Sequence, residues 1–533
     1  MSRNVKIWLT TLISPFVVIL LIALALYMPP VQNWAVGIAS KSASEATGMD
    51  ISVGYVRLAF PLNLSLEEVK VLKQDSILPQ RKDTIAYINR AIASIQVTPL
   101  LQEHLRINVL EIAGIKIHTA DFIPQARVCG SIGRIAVIGD NPIASVILPE
   151  SFAIVKRFTM DDAHLDVALN DSVPEDTTTS ENVWRIHLQE LKITNSDLLL
   201  HTSGDTLRIG TQLKDLTLND GVIDLKRGLY QVGRIVAKNN SVQYDNSAEP
   251  YSTTKKLDFN HLFIDNINAQ IDSISYNTTN TSLSIKKLSF KERSGFVISA
   301  ANADVAMDST LIKLGCNIKT ASSHIAIQLD MNLNSFNSTP NKQKGTTKAR
   351  IYASVSKQDI DLLLNAIGMD EYSNLLPNYP ISITGIAEGN YEELHIPTFS
   401  INLPTAFTVN ANGKANGFMS LANNIYSPAF SASLHTDIRT QNVNPIISRF
   451  TPTIKVPAMH AVGDLNIKGA DYLFSLNATE GRGQIAAKGE INLGNMFYKA
   501  SVYSRSLNIG HFYAGAGIGT FTGNAKIEGQ GTD

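Results

Sequence analysis

Alternation of apolar and polar side chains runs through most of this chain after its first fifty residues, and it limits the folds that the chain can adopt. Successive side chains of a β-strand point to opposite faces, so such alternation predicts half-buried strands of an antiparallel sheet. The clearest run is predicted as one strand over residues 324–333. Its apolar set is Ile325, Ile327, Leu329, Met331 and Leu333, and its polar set is Gln328, Asp330 and Asn332.

The same period of two recurs elsewhere along the chain, for example at 105–109 and 283–290. No helix of the length that connects parallel strands alternates with these runs, which disfavours the parallel α/β folds. We therefore predict a mainly β fold for residues 49–533, an elongated antiparallel sheet with a few short helices. The candidate residues for lining its apolar side are Ile325, Ile327, Leu329, Met331, Leu333, Leu283, Ile285, Ile107 and Val109.

An apolar run without ionisable groups occupies residues 7–28. As a helix rising about 1.5 Å per residue it would span roughly 30 Å, the thickness of a bilayer core. Arg3 and Lys6 precede the run and no charge follows until Lys41, which predicts a cytoplasmic N-terminus at 1–6 and an exported remainder. The predicted anchor residues include Ile7, Trp8, Phe16, Leu20, Leu24 and Met28.

A cleavable signal peptide is the alternative interpretation of this run, because Ala23-Leu24-Ala25 offers a small-residue cleavage pattern. The run is longer than the ~7–15 apolar residues usual in signal peptides, and the bulky Leu26 and Tyr27 follow the alanines. Pro29 and Pro30 then end the helix where the apolar run ends. We favour a retained transmembrane anchor, followed by a short amphipathic helix within residues 29–48.

Charge and cysteine content exclude some classes of function. The net charge is −1 and no basic run occurs, so nucleic acid is not an expected partner. Cys129 and Cys316 lie far apart in the sequence. Two cysteines do not form a disulfide framework, and we favour two buried free thiols over a pair.

The sequence carries no recognisable catalytic or metal-binding motif. The eleven histidines are dispersed, without H-x-H, H-E-x-x-H or C-x-x-C spacing. Adjacent carboxylates such as Asp161-Asp162 would point to opposite faces of a strand and could not converge on one substrate atom. We therefore expect no catalytic residues, no metal site, no cofactor and no enzymatic activity.

A loose repeat occupies the last third of the chain. Predicted short helices at 359–367, 442–450 and 507–513 each precede a strand bracketed by glycines, at 385–389, 463–469 and 523–529. Repetition of one supersecondary unit favours stacking along one direction. The chain stops directly after such a strand, so we expect it to be the N-terminal part of a longer protein.

So many amphipathic strands create a large apolar area, worth ~25 cal/mol per Å² if it is kept from water. Few helices are available to cover it. One sheet curled into a trough that acyl chains partly fill would satisfy this constraint. A series of ordinary β-sandwiches with closed cores would satisfy it too, and alternation alone does not choose between the two.

Several segments follow one another in a recognisable order. They are the N-terminal apolar run, the amphipathic stretch 31–47, the strands 51–58, 62–71, 84–97 and 105–117, and the later segments 506–513 and 522–533. This order resembles the AsmA-like proteins, most closely their TamB branch in Bacteroidota-type bacteria, and the resemblance covers the whole layout. It implies an inner-membrane anchor, a periplasmic β-groove and a role in supplying lipid to the outer membrane or in assembling its proteins.

Three functional hypotheses follow. The first is an inner-membrane-anchored periplasmic protein that conducts phospholipid along an apolar groove for outer-membrane biogenesis. The second is a translocation and assembly factor for outer-membrane proteins, for which the resemblance implies a BamA-family or TamA-like partner bound through a C-terminal region not present here. The third is a structural β-sandwich protein of the envelope, without lipid transport.

Overall fold

The fold was taken from a computed structural model. It describes residues 37, 40, 41, 44, 49–59, 63–74, 82–100, 102–119, 126–169, 184–202, 207–246, 256–336, 345–376, 378–390, 392–417, 420–421, 424–448, 452–513, 515, 517 and 519–531. The predicted anchor, residues 7–28, lies outside the described residues, as does most of the predicted amphipathic helix within 29–48. No helix in the described part of the chain is both long and apolar enough to cross a membrane.

The mainly β fold is confirmed, since 25 described strands belong to one sheet that is mostly antiparallel. The strands are β1 Asp50–Ala59, β2 Asn63–Gln74, β3 Lys82–Ile95, β4 His104–His118, β5 Ala126–Ile138, β6 Ala144–Ile147, β7 Phe152–Leu169, β8 Arg185–Thr202, β9 Arg208–Asp224, β10 Leu229–Asp245, β11 His261–Tyr276, β12 Thr281–Glu292, β13 Val297–Met307, β14 Leu311–Thr320, β15 His324–Asn332, β16 Thr347–Val355, β17 Ile381–Gly389, β18 Glu393–Leu403, β19 Phe407–Asn416, β20 Ser431–Thr440, β21 Met459–Lys468, β22 Asp471–Glu480, β23 Gly483–Asn492, β24 Phe497–Asn508 and β25 Thr520–Gln530.

The described helices are short. They are α1 Val97–Leu100, α2 Lys357–Ala366 and α3 Asn444–Ile447, with 3-10 segments at Leu333–Phe336, Asp370–Leu375 and Ile509–His511. The chain divides into two compact units, the first holding β1–β11 and the second holding β13–β25 with most of β12.

In the first unit the strands pair largely in chain order, from β1 beside β2 to β10 beside β11. β5 and β6 both pair with β4 and β7, so they act as one strand interrupted at 139–143. β7 and β8 form a parallel pair in this otherwise antiparallel ladder. The strands β7–β11 are long, at 16 to 18 residues each.

In the second unit β13–β25 pair strictly in chain order, each antiparallel to the next. These strands are shorter, at 9 to 12 residues. The helical connections follow β16, β20 and β24, so the predicted repeat corresponds to a group of four strands. The glycine-bracketed strands of that repeat are β17, β21 and β25.

The N-terminus of α2 is joined to the turn between β14 and β15 by a buried carboxylate. Ser356 is the N-cap, and its hydroxyl accepts a hydrogen bond from the Asp359 amide. The Asp359 carboxylate, which is 8% exposed, accepts hydrogen bonds from the hydroxyls of Thr320 (2.6 Å), Ser322 (3.4 Å) and Ser323. Because an uncompensated buried carboxylate is costly, these hydroxyls hold α2 against that strand end.

Candidate functional site

The apolar face of the second unit continues from strand to strand along rows of register partners. Residues directly opposite each other on paired strands lie on the same face of a sheet. One row of such partners crosses all thirteen strands β13–β25 and is apolar except for one threonine and two glycines. It consists of Ala303, Cys316, Ile327, Ile351, Gly385, Phe399, Ala411, Thr436, Gly463, Leu476, Ala487, Val502 and Ala525.

A second row on the same face lies two residues along each strand from the first. It crosses twelve strands and ends at a serine. Its members are Ala301, Ile318, Ile325, Ala353, Ile383, Ile401, Val409, Ile438, Ala461, Ala478, Ile485 and Ser504. Two adjacent apolar rows of this extent form one continuous apolar surface.

The apolar face of the first unit is equally continuous. One row crosses β1–β5 and β7–β11, and every member of it is apolar. The row is Val56, Leu66, Ala91, Ile112, Ile135, Met160, Ile193, Leu216, Ala237 and Ala269. A further row, Ile117, Gly130, Leu165, Leu198, Thr211, Val242 and Ile264, lies five residues away along each strand.

An odd spacing of five residues would put these two rows on opposite faces if the strands alternated strictly. Instead, Ile112 and Ile117 both pack against one buried cluster formed by Ile115, Ile132 and Ala163. The alternation therefore changes phase within each strand, between the two rows. Sequence reasoning missed this feature, although apolar residues spaced three apart, as at Ile112 and Ile115, were a visible signal of it.

The apolar side chains on the apolar faces of the two units are mostly half-buried. The ones that reach full burial are small in many cases, such as Ala163 (1% exposed), Ala353 (3%) and Ala478 (3%). Within each unit, extensive contacts between described strands join only strands that neighbour each other in the ladder. A closed core normally buries its large aliphatic side chains completely, so these faces retain apolar area that another apolar group could contact.

The opposite face is polar, and its charges are paired across neighbouring strands. In the first unit Arg157 and Glu190 lie 2.7 Å apart, and Arg234 and Asp272 lie 2.9 Å apart. In the second unit Lys499 lies 2.9 Å from Glu528. Exposed pairs of this kind add little stability, but each places a negative charge beside a positive one, which weakens the attraction of a polyanion.

His164 on the polar face lies between two carboxylates. Its Nδ1 is 2.7 Å from the Asp197 carboxylate and its Nε2 is 3.2 Å from that of Asp162. The hydrogen bond with Asp197, followed by that with Asp162, raises the pKa of His164 above its usual value. This pairing is an exposed cross-strand contact, and no cluster of three or more His, Cys, Asp or Glu residues in the described part of the chain could hold a metal ion.

The predicted lining residues lie at several different positions in the two units. Ile325 and Ile327 lie in the two apolar rows, and Ile107 pairs with Ile95 and Ala144 in the first unit. Leu329 and Met331 follow on the same face of β15, paired with Leu314 and Ile312. Leu283 and Ile285 are half-buried in β12.

Two of the predicted lining residues are placed differently. The strand predicted over 324–333 ends at Asn332, because the Asn332 side chain accepts a hydrogen bond from the Asn334 amide and starts a turn. Leu333 therefore begins a 3-10 helix and is 39% exposed. Val109 pairs with Ser94, beside a change of register in the ladder, and is 43% exposed.

Cys129 and Cys316 are free thiols, as predicted, although both are half-buried and not fully buried. Cys129 Sγ lies 3.1 Å from His118 Nδ1, its register neighbour on β4.

No protein-family model and no curated protein matches this sequence.

Proposed function

We propose that this protein is an inner-membrane-anchored periplasmic protein of the AsmA-like, TamB-type kind that conducts phospholipid along an apolar β-groove in support of outer-membrane biogenesis. The observation that carries the proposal is the unbroken register of the apolar rows. In each unit, apolar partners follow one another across ten or more strands, opposite a face of paired charges. Such a surface suits acyl chains, while polar head groups stay in water.

The free energy of transferring an acyl chain favours a continuous apolar surface over a single strong binding site. Burying one methylene gains about 0.8 kcal/mol relative to water but little relative to a bilayer interior. A lipid chain therefore needs only continuous apolar contact to move between membranes, without a distinguished polar pocket. The aliphatic side chains on the apolar faces of the two units are half-buried, which supports lipid conduction, because an acyl chain lying on them would remove further apolar area from water.

Two features of the sequence support the location. The apolar run 7–28, with its preceding Arg3 and Lys6, fits a single-pass anchor in the bacterial inner membrane with the bulk of the chain in the periplasm. The resemblance to the AsmA-like proteins points the same way. The partners would be phospholipid and the inner membrane, and lipid conduction requires no enzymatic step and no cofactor.

Site-specific photo-crosslinking of the full chain in cells tests this function. Ile327 and Leu329 lie on the apolar face, and the intervening Gln328 lies on the polar face opposite Gly315 and Arg350. We expect a photo-crosslinking amino acid at 327 or 329 to capture phospholipid, identified by mass spectrometry, and the same group at 328 to capture none.

Each other outcome of this experiment supports a different function. If positions 327 and 329 capture only unfolded outer-membrane protein, the assembly-factor hypothesis replaces lipid conduction. If they capture only neighbouring residues of this chain, the face is a closed core, and a structural role in the envelope becomes the better conclusion.

A further inference from the structure

A row of β-bulges crosses the first unit where the alternation changes phase. Residues with positive φ occur within six of the strands, although such backbone is uncommon for residues other than glycine. The row comprises Glu68 (φ 55°) on β2, Gly114 (65°) on β4, Asp162 (57°) on β7, Asn195 (48°) on β8, Asn239 (53°) on β10 and Asn266 (52°) on β11. We call these residues and their cross-strand neighbours the first bulge row.

Glycines complete several of these bulges. Gly133 lies between the register pairs Arg134–Asp161 and Ile132–Ala163, and so faces Asp162. A Cβ added at Gly133 would lie 2.8 Å from the Asp162 Cβ, and one at Gly54 would lie 3.0 Å from the Glu68 Cβ. Real Cβ atoms essentially never approach as closely as at Gly133, so that bulge requires glycine, and a Cβ at Gly54 would make an unusually tight contact.

A second bulge row lies six residues from the first along β9 and β10. Asp220 on β9 (φ 54°) faces Gly233 on β10, where an added Cβ would lie 3.0 Å from the Asp220 Cβ. Ser273 on β11 (φ 57°) faces Gly233 and continues the row. The residues 139–143, between β5 and β6, lie at the same level of the ladder. At about 3.3 Å per residue, the two rows are separated by roughly 20 Å of strand.

In the first bulge row, some backbone amides donate to buried polar side chains and not to a neighbouring strand. The Ala163 amide donates to Ser196 Oγ (3.1 Å), and the amides of Lys214 and Asp215 donate to Asn240 Oδ1 (2.9 and 3.2 Å). Ser196 and Asn240 are only 4% and 3% exposed. Since a buried amide without a partner is costly, these side chains stabilise the bulges.

Buried side chains of the apolar face line the first bulge row. They are Val69 (7% exposed), Ile115 (8%), Ile132 (7%) and Ala163 (1%). Aliphatic residues from both sides of the row pack against the cluster of Ile115, Ile132 and Ala163. Bulges bend a strand, and a bend toward the apolar face would bring the two sides of the row together in this way.

We infer that the two bulge rows are the positioning elements for the ligand of the first unit, because they bend its long strands into three segments that contact an acyl chain from more than one side. This inference rests on the proposed lipid function. The bulge residues do not face the chain themselves; they fix the curvature of the face that does. The second unit has shorter strands, so its lipid contacts do not depend on these rows.

Asp162 and Asn195 offer a matched test, because both lie in the first bulge row on exposed positions of neighbouring strands. Valine disfavours positive φ strongly, whereas glycine adopts it freely. The double variant Asp162→Val, Asn195→Val should flatten the bulges, and Asp162→Gly, Asn195→Gly should keep them. Photo-crosslinking groups at Ile193, in the apolar row of the first unit, and at Ile327, in the second unit, report lipid capture in the full chain in cells.

We expect the valine double variant to lose at least fivefold of the phospholipid capture at position 193, with capture at 327 changed less than twofold. The glycine double variant should resemble the unmodified protein at both positions. Equal capture at 193 in the two double variants would overturn the inference, while absence of lipid at both positions in the unmodified protein would overturn the proposed function instead. If the valine double variant does not accumulate, Asp162→Val and Asp162→Gly alone make the same comparison.

Discussion

At the scale of single residues, the direction of each side chain follows from its position in an alternating run. Ile325, Ile327, Leu329 and Met331 fall on one face of β15, as the sequence predicts, and Gln328 and Asp330 fall on the other. The prediction failed at Leu333, because the Asn332 side chain accepts a hydrogen bond from the Asn334 amide and ends the strand. A pattern of apolar residues does not show where a side chain hydrogen-bonds to the nearby backbone and ends a strand.

Leu329→Asp tests whether the side chain at position 329 points to the apolar face. Leu329 is half-buried on the apolar face between Leu314 and Ala349, so a carboxylate there would lie among aliphatic side chains without a partner. We expect a loss of about 2 kcal/mol in the free energy of unfolding, measured by urea denaturation. Gln328→Asp, an exposed change beside Arg350, should alter stability by no more than about 0.5 kcal/mol. Similar effects at both positions would show that the two faces are not distinct.

At the scale of elements, the short helices are held by specific polar contacts as well as by packing. The sequence predicts a helix at 359–367, and α2 spans Lys357–Ala366. Its attachment to the β14–β15 turn depends on Asp359 and hydroxyls some 36 to 39 residues earlier in the chain. Nothing in the local sequence pairs these residues, so only the folded chain identifies them.

Asp359→Ala should release the N-terminus of α2. The change leaves the hydroxyls of Thr320, Ser322 and the buried Ser323 without this acceptor, and we expect a cost of about 2 kcal/mol. Hydrogen–deuterium exchange should show faster exchange in 357–366 and in the 320–323 turn, with little change in distant strands. Gln358→Ala, an exposed change one residue away, serves as the control and should leave exchange in both segments unaltered.

At the scale of the whole molecule, the proposed lipid conduction would depend on continuity of the apolar rows and not on any one residue. Leu465 and Phe474 are register partners on β21 and β22, on the same face as Leu434. Asn466 and Ser475 are their neighbours in sequence on the polar face. An interruption of the apolar rows at one place should therefore affect transport along the entire track.

Leu465→Asp combined with Phe474→Asp introduces such an interruption. We expect outer-membrane phospholipid content in cells carrying this variant to fall to the level of a strain lacking the protein, because charged groups on adjacent strands make the track unfavourable for acyl chains. The control pair Asn466→Asp and Ser475→Asp should support normal content. Protein levels measured by immunoblot exclude loss of the variant as the cause, and normal content with the first pair would contradict conduction along this face.

The sequence by itself determined the mainly β class, the antiparallel arrangement and the two-sided character of most strands. These are local properties, since the alternation of side chains is set by the backbone of each strand alone. It also indicated the repeat of helix and glycine-bracketed strand at β16–β17, β20–β21 and β24–β25.

Only the tertiary structure decided where the strands bend. A bulge forms at Asp162 because Gly133, on the paired strand, leaves room for its Cβ, and because Ser196, on the next strand, accepts the Ala163 amide. These partners are separated by about thirty residues or more in the chain and meet only when the ladder is complete. The positions of the bulges in the first unit therefore depend on cross-strand neighbours, which an alternating pattern along a single strand does not contain.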